Sequence, residues 1–107
     1  MRNIIQLQSF RKNESRMYSG RDFGLDVRDK ITLDEKDNDN ENYIVIFPDD
    51  TMSINSSFFG GLFAESVIVL GEKKFREKYC FQNEFYKPIK KSLQNDIEEG
   101  IYDALNG

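Results

Sequence analysis

The sequence predicts a single small α/β domain, a sheet backed by helices, and three observations predict it. Its 107 residues give room for one hydrophobic core, because chains divide into separate domains only well beyond that length. The apolar share of 38% is low, but nine Phe and five Tyr each bury a large area, too much for a disordered chain. Extended β-branched runs alternate with segments of helical period, the pattern of helices packed on a sheet.

In chain order, the first strand is predicted over residues 4–10, where Ile5 and Leu7 alternate with polar residues and Phe10 falls one position out of phase. The polar stretch Arg11 to Ser15 turns the chain. Ser19-Gly20-Arg21-Asp22 offers a helix start with an acid three residues after the cap. Phe23, Val27 and Ile31 then fall four apart, with Gly24 and Arg28 beside them, so a helix over about 20–33 buries one face. Residues 34–42 are almost purely polar and dense in Asp and Asn, which predicts an exposed loop.

Tyr43-Ile44-Val45-Ile46-Phe47 is a continuous β-branched and aromatic run ended by Pro48, which predicts a central strand buried on both faces. Pro48-Asp49-Asp50-Thr51 has turn chemistry. A helix is predicted from Asn55 or Ser56 to Gly71, with Phe59, Leu62, Phe63, Val67 and Leu70 on its packed face. Tyr79-Cys80-Phe81 can form a short strand before a turn at Gln82-Asn83. A last helix over about 85–105 would carry the stripe Phe85, Ile89, Leu93, Ile97, Ile101 and Leu105, with Pro88 in its first turn.

Composition narrows the chemistry. Histidine is absent, which removes zinc sites of the usual kind and Ser-His or Cys-His catalysis. No segment places a carboxylate pair or a Ser-Lys arrangement, so no catalytic residues are assigned and the chain is not expected to be an enzyme. Cys80 is the only cysteine; no internal disulfide can form, and a buried, inert thiol is expected. There is no long apolar run, and the N-terminus from Met1 to Gln6 lacks the design of a signal peptide, so a cytoplasmic protein with no membrane partner is expected.

The net charge of −4 argues against nucleic acid as a partner. Its distribution is uneven: residues 17–50 hold ten acids against four bases, and residues 72–91 hold seven bases against three acids. Two faces of opposite sign would suit steering of a charged protein partner; a solvated surface is the plainer explanation.

The segment from Asp49 to Phe59 carries the candidate site. A strand runs through a loop into a helix whose first residues are Asn55-Ser56-Ser57, where side-chain oxygens cap free amides. A phosphate on a hydroxyl here would also face the positive helix end. Asp49 and Asp50 could in principle hold Mg²⁺, but adjacent acids after a proline are those of a β-turn, and no metal or other cofactor is expected. Gly60-Gly61 lies inside the helical pattern, at a cost of about 1 kcal/mol per glycine relative to alanine. Such a cost implies close approach of the sheet or of a partner to the helix backbone.

Two segments resemble the STAS-like domains, small bacterial and phage proteins related to anti-sigma-factor antagonists. Residues 18–28, with their Ser19 and Arg21 start, Gly24 and later Arg28, are similar to that family's early helix. Ile44-Val45-Ile46-Phe47 and Ile54-Asn55-Ser56-Ser57-Phe58 are similar to its buried strand and Ser-Phe helix start. The resemblance spans nearly the whole chain and implies one STAS-like domain, a mixed sheet backed by helices.

The resemblance further implies a switch subunit, docking an anti-sigma-type protein or a histidine-kinase-like ATPase through the loop and helix of residues 49–63. Asp49, Asp50, Asn55, Ser56, Phe58, Gly60 and Gly61 are the expected contacts. In the antagonists the equivalent junction is an Asp-Ser-Ser motif phosphorylated on its first serine. Ser56 is therefore the implied acceptor, with Ser57 the helix-start serine. Asn55 departs from that motif, and Gly60-Gly61 stands where the family tends to have Ala, Asp or Glu, so a contact made by that acid is missing. A nucleotide or small-molecule site built from residues 49–57 is the alternative.

Overall fold

A computed structural model describes residues 3–107; Met1 and Arg2, part of the N-terminal reading, lie outside the described residues. Three parallel strands form the main sheet in the order β1 (Asn3–Gln6), β3 (Tyr43–Phe47), β5 (Tyr79–Asn83). A second ribbon pairs β2 (Met17–Tyr18) with β4 (Ser53–Ile54), also in parallel. The helices are α1 (Arg21–Lys30), α2 (Leu33–Asp37), α3 (Ser56–Leu70), α4 (Glu72–Lys78) and α5 (Lys91–Asn106), with a 3-10 turn at Leu7–Phe10. No helix among the described residues is long and apolar enough to cross a membrane.

The α/β class and the central strand are as predicted. In register, Ile5, Val45 and Phe81 share one row and face the aromatic core, where Phe63 and Phe75 meet Tyr79 and Phe81 edge-on or tilted. The expected mixed sheet is not what forms. Each return from one strand to the next passes through helices, and a crossover of that kind delivers a parallel neighbour. The only antiparallel pairing described is an isolated bridge between Gln82 and Pro88. The neighbouring row, Ile4, Ile44 and Cys80, alternates to the opposite face. Cys80 is consequently exposed, not buried as expected, and Ile44 is only half-buried.

Several boundaries differ from expectation, and β5 runs through Gln82 and Asn83, where a turn was expected. The first strand ends at Gln6, and the chain tightens into the 3-10 turn that buries Leu7 fully; the out-of-phase Phe10 marks this change of period. The expected loop 34–42 is helical up to Asp37 as part of α2, with Leu33 and Asp37 buried. The last helix begins at Lys91, and Phe85, expected to head its stripe, is 62% exposed, as Leu105 at its far end is 46% exposed. Asn83 Oδ1 accepts the amides of Phe85 and Lys87, an Asx-type turn that competes with helix, and the residue before Pro88 is biased to extended backbone.

Helix α3 lies between α1 and α5, and glycines set both contacts. A Cβ on Gly24 would lie 2.3 Å from the Phe58 carbonyl oxygen, and one on Gly61 would lie 2.2 Å from that of Arg21. On the other flank, a Cβ on Gly100 would lie 2.4 Å from Phe59 Cδ1. The neighbour pressing on the α3 backbone at Gly61 is therefore α1, neither the sheet nor a partner.

Candidate functional site

The β2–β4 ribbon positions the junction. Met52 N–H donates to the Arg16 carbonyl and Asn55 N–H to that of Tyr18, at 2.7 and 2.8 Å. The segments that lead into α1 and α3 are thus held together, and the two helices start side by side. Asn55 caps α3, its Oδ1 accepting Ser57 N–H at 2.8 Å, which satisfies one of the free amides of the first turn.

The two serines separate by role. Ser57 Oγ donates to Asn55 Oδ1 and accepts the Gly20 amide at 3.2 Å, which ties the start of α1 to the start of α3. Ser56 is exposed, and its hydroxyl has no hydrogen-bond partner among the described residues. It lies in a shallow hollow of about 200 Å³ together with Asp96 and Glu99. Asp96 is held in place by accepting the Ile54 amide at 2.9 Å. A phosphate on Ser56 would meet the favourable helix end and two carboxylates at once.

The two turn acids have different partners. Asp50 receives both Nη groups of Arg11, at 3.0 and 2.8 Å, with Arg16 Nε 3.7 Å away. The Arg11 hydrogen bonds hold its carboxyl below the usual range. Asp49 accepts from Asn83 at 3.4 Å while its amide donates to Glu84. Thr51 N–H closes the turn on the Pro48 carbonyl at 3.1 Å, so this is the β-turn expected from the sequence.

Among the other expected contacts, Phe58 is fully buried against Tyr18 and Phe23, and Gly61 is buried under α1. Both belong to the core rather than to an accessible surface. Gly60 is different: a Cβ there would meet only Arg21 Nη1, at 3.5 Å. Ser56, Gly60, Ala64 and Ile68 recur every four residues, so they lie along one side of α3. This side is left half-buried or open, Ile68 being 63% exposed.

A groove of about 600 Å³ runs along this side of α3, with Leu25 of α1 as its other apolar wall. Beneath it lies a polar network that sequence reading did not anticipate. Buried Arg28 donates to Asp37 at 2.8 Å, to Asp34 at 2.6 Å, to Ser66 Oγ at 2.9 Å and to the Leu62 carbonyl at 2.8 Å. Tyr79 donates to the other oxygen of Asp37 at 2.7 Å. Burial works against the Arg28 charge, but the two carboxylates more than offset it and its pKa is raised. The signal available in the sequence was Ser66, a lone polar residue on the inner side of an otherwise apolar turn.

No family model, curated protein or solved structure matches the chain.

Proposed function

We propose that the chain is a non-enzymatic protein-interaction and switch module that docks a partner through the loop and helix of residues 49–63 and the open side of α3. The observation that carries this reading is the composition of α3. Apart from Ser56, Ser57, Glu65 and Ser66 it is apolar or glycine on every side, which is the pattern of a helix covered all round. Yet the side carrying Gly60, Ala64 and Ile68 is only partly covered, and a partner would complete its burial.

The STAS-like resemblance supports the same reading. It suggests a cytoplasmic switch whose partner is an anti-sigma-type protein or a histidine-kinase-like ATPase. Ser56 is the better candidate for phosphorylation, since its hydroxyl is free while that of Ser57 is engaged. Added charge would act there by repulsion from Asp96 and Glu99 and by the cost of burying a charge under the apolar stripe of the partner, a cost that outweighs attraction to bases on its flanks. The alternative, a nucleotide or small-molecule site at residues 49–57, draws less support because those carboxylates line the hollow that a phosphate group would enter.

Ser56→Glu tests the reading. The gain from an acid at a helix N-terminus and the loss from its acidic neighbours should leave folding stability within about 1 kcal/mol of wild type. Affinity for a protein partner purified with the wild-type chain should fall at least about tenfold. An unchanged affinity, with Ile68→Glu equally silent, would remove this side of α3 from the interface and end the proposal. A rise in melting temperature with a nucleoside triphosphate would favour the alternative.

A further inference from the structure

We infer that the groove between α1 and α3 receives one basic, amphipathic helix of the partner, laid against Gly60. The inference rests on the interaction reading above and specifies the chemistry of what docks.

Three observations converge on this groove. The first is the uneven use of glycine. Gly24 and Gly61 are required by the α1–α3 crossing, where any side chain would collide with backbone, but no contact among the described residues requires Gly60. A glycine inside a helix is unfavourable relative to alanine. The group over Gly60 is the end of the flexible Arg21 side chain, 3.5 Å from where a Cβ would lie; with that side chain turned aside, the bare α3 backbone, continued by the small Ala64, lets a second helix approach closely.

The second observation is the apolar lining. Leu25 is 45% and Ile68 63% exposed, and both line the groove, offering apolar contacts to the apolar stripe of an incoming helix.

The third is charge. Asp29, Glu35 and Glu65 line the groove and form no ion pair among the described residues. Of the two arginines that line it, Arg28 is neutralised by Asp34 and Asp37, which leaves Arg21 alone against three carboxylates. An apolar floor edged by uncompensated acids is complementary to a helix that carries Lys or Arg beside its apolar stripe. An acidic helix, or the phosphate of a nucleotide, would be repelled.

The probe is a synthetic amphipathic helix of 15 residues, the length of α3, with alanine and leucine along one stripe and lysine on both flanks. Its twin has glutamate in place of every lysine. Fluorescence anisotropy should show the lysine peptide binding the full chain, with affinity falling as salt rises, and the glutamate twin not binding. Gly60→Leu fills the groove and should weaken the lysine peptide at least about tenfold. The triple variant Asp29→Lys, Glu35→Lys, Glu65→Lys touches no core residue; should Gly60→Leu fail to fold, it still reverses the preference between the two peptides if the inference holds.

Equal binding of the two peptides, no binding of either, or indifference to both variants would overturn the inference. So would a wild-type chain that is dimeric in sedimentation and becomes monomeric with Gly60→Leu, because the groove would then belong to a second copy. A purified partner that is lost with Ser56→Glu but unaffected by the groove variants would leave the interaction reading standing and this inference refuted. Loss of the reading itself would show as indifference to Ser56→Glu and Ile68→Glu.

Discussion

An added methyl group at position 61 would sit 2.2 Å from the Arg21 carbonyl oxygen and 2.9 Å from the Leu25 amide, whereas at position 60 it would meet only a guanidinium nitrogen at 3.5 Å. Backbone cannot give way as a flexible side chain can, so Gly61→Ala must push α1 off α3. It should destabilise by at least about 1 to 3 kcal/mol. Gly60→Ala gains helix propensity without collision and should stabilise the isolated chain by up to about 1 kcal/mol. Urea unfolding of the two single variants checks both signs. A fall in stability for Gly60→Ala would mean that the space above it is already occupied in the folded chain. Glycine doublets are therefore not units: one methyl group's difference in surroundings assigns Gly61 to the fold and Gly60 to a surface.

Elements differ in how far their own residues announce them. Strand β3 and helix α3 were legible because the run Tyr43–Phe47 and the spacing of Phe59, Leu62, Phe63 and Val67 are local patterns, and burial followed them. The cap at Asn55 and the turn at Pro48 were legible for the same reason, which placed the Ser56 junction correctly. Helix α2 was not, because its five residues LDEKD hold one apolar side chain and no period. What organises them is Arg28, reaching from α1 to Asp34 and Asp37. A pairing between elements leaves no trace in local periodicity. The same contact yields a prediction. Asp37 has a side chain only 2% exposed, so Arg28→Met would strand a buried carboxylate and should cost about 3 to 5 kcal/mol. Replacing both partners, with Asp37→Leu added, should cost clearly less than the two single changes together. A double-mutant cycle by chemical denaturation measures this, and additive losses would show that the pair does not act as a unit.

Across the whole molecule, a partly exposed carboxylate, Asp39, and three buried tyrosines should set the limits of pH within which the helices stay on the sheet. Asp39 fastens the segment ahead of β3 to α4: it receives Lys78 Nζ at 2.7 Å, the Tyr43 hydroxyl and the Glu41 amide. Burial pushes its carboxyl up, but these donors outweigh it and hold the pKa at about 2, against an ordinary 3.8. A depressed carboxyl contributes stability that is complete above its unfolded value and is lost as pH falls through its folded one. The contribution of Asp39 should therefore vanish between about pH 4 and pH 2. On the alkaline side the shift has the opposite sign. Burial raises Tyr18 to about 12, and burial with the neighbouring Asp39 raises Tyr43 to about 12; burial and Asp37 raise Tyr79 as well. A raised phenol contributes stability that is complete below its unfolded value and is lost as pH rises through its folded one, here from about 10 to about 12. Denaturation midpoints measured across pH should form a plateau with these two shoulders. Asp39→Asn should lower the plateau but leave wild type and variant converging as pH approaches 2. A constant gap between them down to that pH would show that Asp39 does not carry the acid limb, and that the tie between α4 and the sheet rests on packing around Phe75 and Tyr79 instead.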